Sequence, residues 1–121
     1  MDEYKITFFY NPDTGKIPVR EYLDGIAQKE RAKILKYIEF LREHKGVLDE
    51  PYAKHIRDKI RELRVDFGGN RHRVFFFTFV GKNIILLHAF LKKTTATPES
   101  EIGKALNNYH QIINNPKLYE N

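Results

Sequence analysis

Cations crowd residues 53–73, AKHIRDKIRELRVDFGGNRHR, where Lys54, Arg57, Lys59, Arg61, Arg64, Arg71 and Arg73 face only Asp58, Glu62 and Asp66. His55 and His72 lie inside the same run, and Tyr52 just precedes it. A second group, HAFLKKTTATP, holds His88, Lys92 and Lys93. Side chains of these types can cut RNA with little other machinery. The 2′-hydroxyl attacks its own phosphate, and arginine or lysine holds the attack in line and neutralises the charge that develops. A histidine, a tyrosine or a lysine of lowered pKa moves the protons. His55, His88 and Tyr52 are the candidates for that acid or base role. Lys54, Arg57, Lys59, Arg61, Arg71 and His72 are candidates for holding the RNA. Any one arginine also fits a solvated sheet face paired with a local acid. The run as a whole recurs across adjacent strands, which suits a clamp on a phosphate backbone. No HExxH, no close histidine–carboxylate array, no Walker motif and no GxGxxG occurs, so neither a metal site nor a cofactor is expected.

These residues need a rigid frame. Tyr4 to Tyr10 reads as a first strand, closed by the turn residues Asn11, Pro12, Asp13 and Gly15. The period then becomes helical. Val19, Tyr22, Leu23 and Ile26 fit one face, with Asp24-Gly25 near the end. A second helix is expected from about Gln28 to Lys45 on the stripe Ile34, Leu35, Ile38 and Leu41, with Gly46 as its stop. Residues 50–56, containing Pro51, read as a connector. Residues 60–67, 71–80 and 84–91 read as strands joined by short turns, an antiparallel meander. Along the first of them Leu63, Val65 and Phe67 share a face that Arg61 joins, opposite Glu62, Arg64 and Asp66. The last is apolar on both faces and therefore central. By strict alternation His88 shares a face with Ile84, Leu86 and Phe90, where it would be a satisfied core histidine. Phe75, Phe77 and Phe79 read mainly as core. Thr97 is the expected N-cap and Pro98 the first residue of a last helix, whose stripe of Ile102, Ala105, Leu106, Tyr109, Ile112 and Ile113 ends at Pro116. The expected class is α+β, one antiparallel curved sheet packed in two layers against two N-terminal helices and a C-terminal helix.

The bulk numbers agree with that frame. The 121 residues support a single domain, 1–121, and 41% of them are hydrophobic, enough to fold. No cysteine is present, which removes disulfides and thiolate chemistry and fits a reducing cytoplasm. The short apolar N-terminal stretch follows acidic residues and makes a poor signal peptide, and no segment is long enough to span a membrane. A formal charge of +5 favours an anionic partner.

The markers Glu62-Leu63-Arg64, Arg73-Val74, Leu87-His88-Ala89-Phe90-Leu91-Lys92-Lys93, Thr97-Pro98 and Ala105 occur in an order and spacing that resembles the RelE/ParE toxin superfamily. Within it they resemble the HigB-like, phage-derived branch most. The resemblance covers nearly the whole chain. It implies the compact RelE-like toxin fold and cleavage of translated messenger RNA on the ribosome, without a metal. It places Arg64, Arg73 and one of Lys92 and Lys93 in catalytic positions. It also implies a cognate antitoxin of helix-turn-helix type, with operator DNA contacted only through that antitoxin. The C-terminal tyrosine that many relatives use has no simple counterpart, because Tyr109 and His110 fall in a predicted helix. The same fold also serves gyrase-directed toxins of the ParE type, and a non-catalytic, phage-derived regulatory protein is a further alternative.

Overall fold

The computed structural model describes residues 3–120. Two of its strands are apolar on both faces, and this decides the layering. The elements run β1 (Lys5–Phe8), α1 (Pro18–Asp24), α2 (Gln28–Glu43), β2 (Ala53–Arg57), β3 (Ile60–Phe67), β4 (Asn70–Phe79), β5 (Asn83–Lys92) and α3 (Glu99–Asn114), followed by a short 3₁₀ turn, Pro116–Leu118. The strands form one sheet in the order β1-β5-β4-β3-β2. The expected meander β3-β4-β5 is antiparallel throughout. The sheet as a whole is mixed, because β1 runs parallel to β5, pairing Lys5 with Asn83 and Phe8 with Leu86. Parallel pairing needs a long crossover, and here α1, α2 and the β2–β4 strands supply it. The class is α+β, as expected.

The connector expected at residues 50–56 is instead the edge strand β2, paired antiparallel with β3 from Ala53 opposite Leu63 to Arg57 opposite Ile60. Its single buried apolar residue, Ala53, gives almost no alternation to read.

Helices cover both faces, so there are three layers where the sequence suggested two. Under α1 and α2 lie Val19, Leu23, Ile34, Ile38, Leu41, Leu63, Val65, Val74, Phe76, Ile84 and Leu86. Under α3 lie Phe9, Ile60, Phe75, Phe77, Ile85, Leu87, Phe90, Ile102, Ala105 and Ile112. The alternation of Val74 and Phe76 against Phe75 and Phe77 fills the two cores from one strand, at about 1.5–3 kcal/mol for each large apolar side chain removed from water. Leu35 and Ile113, expected on apolar stripes, are 45% and 46% exposed.

A bulge corrects the expected parity of β5. Phe76 pairs with Leu86 while Phe75 pairs with His88, so Leu87 is the extra residue. Ile84 and Leu86 face the two N-terminal helices, whereas Leu87 and Phe90 face α3. His88 goes with the second group, since it bonds Glu101 of α3.

Candidate functional site

The register decides which cations meet. Arg64 of β3 lies opposite Arg73 of β4, Asp66 opposite Arg71, Arg73 opposite Phe90 of β5, and Arg71 opposite Lys92. All belong to the sheet face that carries α3, beyond the N-terminal end of that helix. Like charges directly opposite repel, so this row needs compensation, and Glu62 supplies part of it. Glu62 is fully buried. It accepts hydrogen bonds from Arg64 Nε at 3.2 Å and from the Thr97 hydroxyl at 3.1 Å. Thr97 therefore does not cap α3 as the sequence suggested. Its hydroxyl is engaged by Glu62, and the cap position falls one residue later, at Pro98.

Arg73 is only 5% exposed. Its guanidinium donates to Asp66 Oδ1 at 2.8 Å and to the His72 carbonyl at 3.0 Å, while its Nε has no partner among the described residues. An arginine held in this way presents a fixed donor set rather than a mobile charge. Lys92 has its amine pKa lowered, first by burial and then by Arg73, Arg64 and Arg71, with Glu62 acting in the opposite sense. Lys93 lies past the end of β5 and is exposed. Of the two lysines, Lys92 is thus the one in electrostatic contact with the arginines.

Arg64, Asp66 and Arg73 line a cavity of about 240 Å³ together with Lys33, Tyr37, Pro51 and Tyr52. It opens just before β2 begins, since Ala53 opposite Leu63 is the outermost pair of that ladder. The loop before β2 closes over β3 through Arg64 N–H to the Tyr52 carbonyl at 2.8 Å. Lys33 of α2 reaches the Asp66 carbonyl. Asp66 is the sole carboxylate on this lining, and its side chain is well exposed.

The remaining candidates are dispersed. Lys54 is exposed on β2 opposite Glu62, and Lys59 is exposed in the β2–β3 turn. Arg57 pairs with Glu99 at the start of α3, an exposed contact that a phosphate could displace. Arg61 faces the N-terminal helices, as the alternation predicted, and donates to the Leu48 carbonyl at 2.9 Å. His72 lies 2% exposed on that same face, between the Tyr22 hydroxyl at 2.6 Å and Glu30 at 2.6 Å. The Tyr22 hydroxyl is pushed up to about 12 by burial and by Glu30, so it stays a neutral donor or acceptor for the ring. Neither Arg61 nor His72 reaches the cationic row. His55 lies opposite Arg61, its Nε2 2.6 Å from the Asp58 carbonyl. His88 is tied to Glu101 at 2.6 Å, and burial lowers its pKa against the pull of that carboxylate. Tyr52 alone of the three acid–base candidates lines the Arg64–Arg73 cavity.

Sequence reasoning missed Asp66, Glu62, Lys33 and Tyr37. The alternation of β3 already put Glu62, Arg64 and Asp66 on one face, and the acids were read only as counter-charges. Lys33 and Tyr37 come from α2, 31 and 27 residues before Arg64, with no local signal linking them to β3. Among the described residues no group of three or more histidine, aspartate or glutamate side chains could hold a metal ion. No helix among them is long and apolar enough to cross a membrane.

No curated protein matches the chain. A family profile described as phage derived protein Gp49-like (DUF891) matches residues 21–110, from α1 into α3, and takes in the whole cationic row. That span is about three quarters of the sequence, and the chain belongs to this Gp49-like family of phage-derived proteins.

Proposed function

We propose that this protein is the toxin of a type II toxin–antitoxin pair, a ribosome-dependent endoribonuclease that cuts translated messenger RNA. The observation that carries the reading is the opposed pair Arg64 and Arg73 at a cavity that also holds a carboxylate, Asp66, with Lys92 on β5 in electrostatic contact with both arginines. Membership of a phage-derived family related to RelE-type toxins supports it, as does the net charge of +5.

Each residue has a distinct part. Arg64 and Arg73 take the non-bridging oxygens of the phosphate, which gain charge as the fifth bond to phosphorus forms. Asp66, oriented by Arg73, accepts the proton of the 2′-hydroxyl as the 2′-oxygen bonds to phosphorus. The bond from phosphorus to the 5′-oxygen then breaks, and Lys92 delivers a proton to the departing oxygen. A lysine of lowered pKa gives up that proton more readily than an ordinary surface lysine does. The ribosome supplies the messenger RNA in an extended, unpaired form. A helix-turn-helix antitoxin carrying acidic residues would neutralise the same surface, and operator DNA would be contacted through it.

The chemistry of the cut ends tests this route. Cleaved fragments should end in a 2′,3′-cyclic phosphate and begin with a 5′-hydroxyl. A single 2′-deoxy substitution at the cut position should abolish the cut. Products ending in a free 3′-hydroxyl, with the phosphate on the 5′ side, would rule out attack by the 2′-hydroxyl.

A further inference from the structure

Tyr37 and Tyr52 line two cavities at once. One is the Arg64–Asp66–Arg73 cavity described above. The other is a groove of about 530 Å³ between α2 and the loop before β2, whose walls add Phe40, Lys36, Glu39 and Glu43. The rings form a connected cluster. Tyr37 meets Tyr52 edge-on with centroids 6.2 Å apart, and Phe40 meets Tyr52 edge-on at 5.8 Å. Lys33, which bonds the Asp66 carbonyl, also lies 5.6 Å from the centre of the Tyr37 ring. Tyr52 is 43% exposed, so part of its ring is open to a ligand at the mouth of the arginine site.

We infer that the Tyr37–Phe40–Tyr52 groove receives an unpaired nucleobase of the RNA strand whose phosphate is held by Arg64 and Arg73. The inference rests on the nuclease reading and names a subsite of it. Two features select this occupant. A cationic row that grades directly into aromatic rings is the arrangement that binds single strands, phosphates on the cations and bases on the rings. The groove's outer wall carries Glu39 and Glu43, with Glu39 already held by Arg42. Those carboxylates repel a phosphate and tolerate a neutral base, so the strand has one polarity of fit: phosphate toward β3, base toward α2. Tyr52 acts here through its ring face, and its hydroxyl is dispensable.

The test uses the full chain and a short single-stranded oligoribonucleotide methylated at its 2′-oxygens so that it cannot be cut. Binding is followed at low salt by fluorescence anisotropy while one abasic position is walked along the strand. Wild type should lose about tenfold or more in affinity at one position, as for loss of one stacked base. Tyr52→Ala should lose a similar factor on the intact strand and become insensitive to the abasic position. Tyr52→Phe should behave as wild type. Arg64→Ala should weaken binding and reduce its salt dependence while leaving the abasic profile intact. If Tyr52→Ala binds the intact strand as wild type does, with an unchanged abasic profile and a retained effect of Arg64→Ala, the base subsite is overturned and the phosphate site stands. If wild type does not bind the strand at all, the base subsite is overturned, while the nuclease reading is decided separately by the chemistry of the cut ends. If the Tyr52→Ala substitution instead abolishes self-association of the wild-type chain, the groove belongs to a second copy and the subsite is likewise overturned.

Discussion

Glu62 and Asp66 stand four residues apart on one strand face, on either side of Arg64, and have opposite surroundings. Glu62 is sealed from solvent and locked by Arg64 and Thr97. Its charge organises the cationic row and is closed to substrate. Asp66 has a well-exposed side chain held on one side by Arg73, which leaves it free to meet a ribose. Asp66→Asn should therefore lower the cleavage rate about 10²–10⁴-fold, the usual scale of a general base, in a variant that still folds. A variant that cuts at the wild-type rate would remove Asp66 from the mechanism. His88 gives a prediction of a different kind. Its folded-state pKa lies below the ordinary value of 6.5, because burial disfavours the imidazolium more than Glu101 favours it. The unfolded chain then binds the proton more readily, so this residue makes stability fall as pH drops below about 6.5. Thermal melts across pH 5–7.5 should show that slope, and His88→Asn should flatten it. An unchanged slope in the variant would place its origin elsewhere. Arg64 and Arg73 were legible as chemistry because they recur across adjacent strands. The division of labour between the two acids was not, since burial depends on what packs above each one.

At the scale of elements, the long strands and both long helices were readable because each has many turns or alternations to average over. β3 runs from Ile60 to Phe67, the range the alternation predicts. Of the short pieces, β1 and α1 lie where the sequence predicts them, and β2 and the bulge in β5 do not announce themselves. β2 has one buried apolar residue, and the bulge at Leu87 shifts a parity that no local residue announces. His88 thus turned from the face of Ile84 and Leu86 to that of α3. Gly46, read correctly as the stop of the second helix, shows how tightly that end is built. Its φ is +79°, and a Cβ there would sit 2.5 Å from the Thr78 hydroxyl. Its N–H closes the helix on the Leu41 carbonyl at 2.9 Å. Gly46→Ala combines backbone strain with a clash against β4. It should cost more than the roughly 1 kcal/mol that an alanine with positive φ alone implies, visible as a lowered midpoint in urea. A midpoint unchanged from wild type would mean that the turn and Thr78 relax together. Phe76→Ala, deep under α2, should cost about 3–5 kcal/mol in the same assay.

For the whole molecule, the two cores have different tasks. The face under α1 and α2 holds the sheet rigid through Phe76, Leu86 and the buried Tyr22–His72–Glu30 chain. The opposite face carries α3 and, beside it, the half-buried Arg64, Arg71 and Lys92 around the buried Arg73. A rigid scaffold with a partly open sheet is what a phosphate clamp requires. The α+β class and the expectation of a cationic sheet surface came from the sequence. The third layer and the parallel β1–β5 pair required knowing where the chain crosses over. The most direct test of the central claim is messenger RNA cleavage in a reconstituted translation reaction, with ribosome-free RNA alongside, comparing wild type with a folded Arg64→Ala/Arg73→Ala variant. The account predicts cuts that depend on the ribosome and are made by wild type alone. Absence of cleavage by folded wild type, or equal cleavage by the double variant, would contradict it.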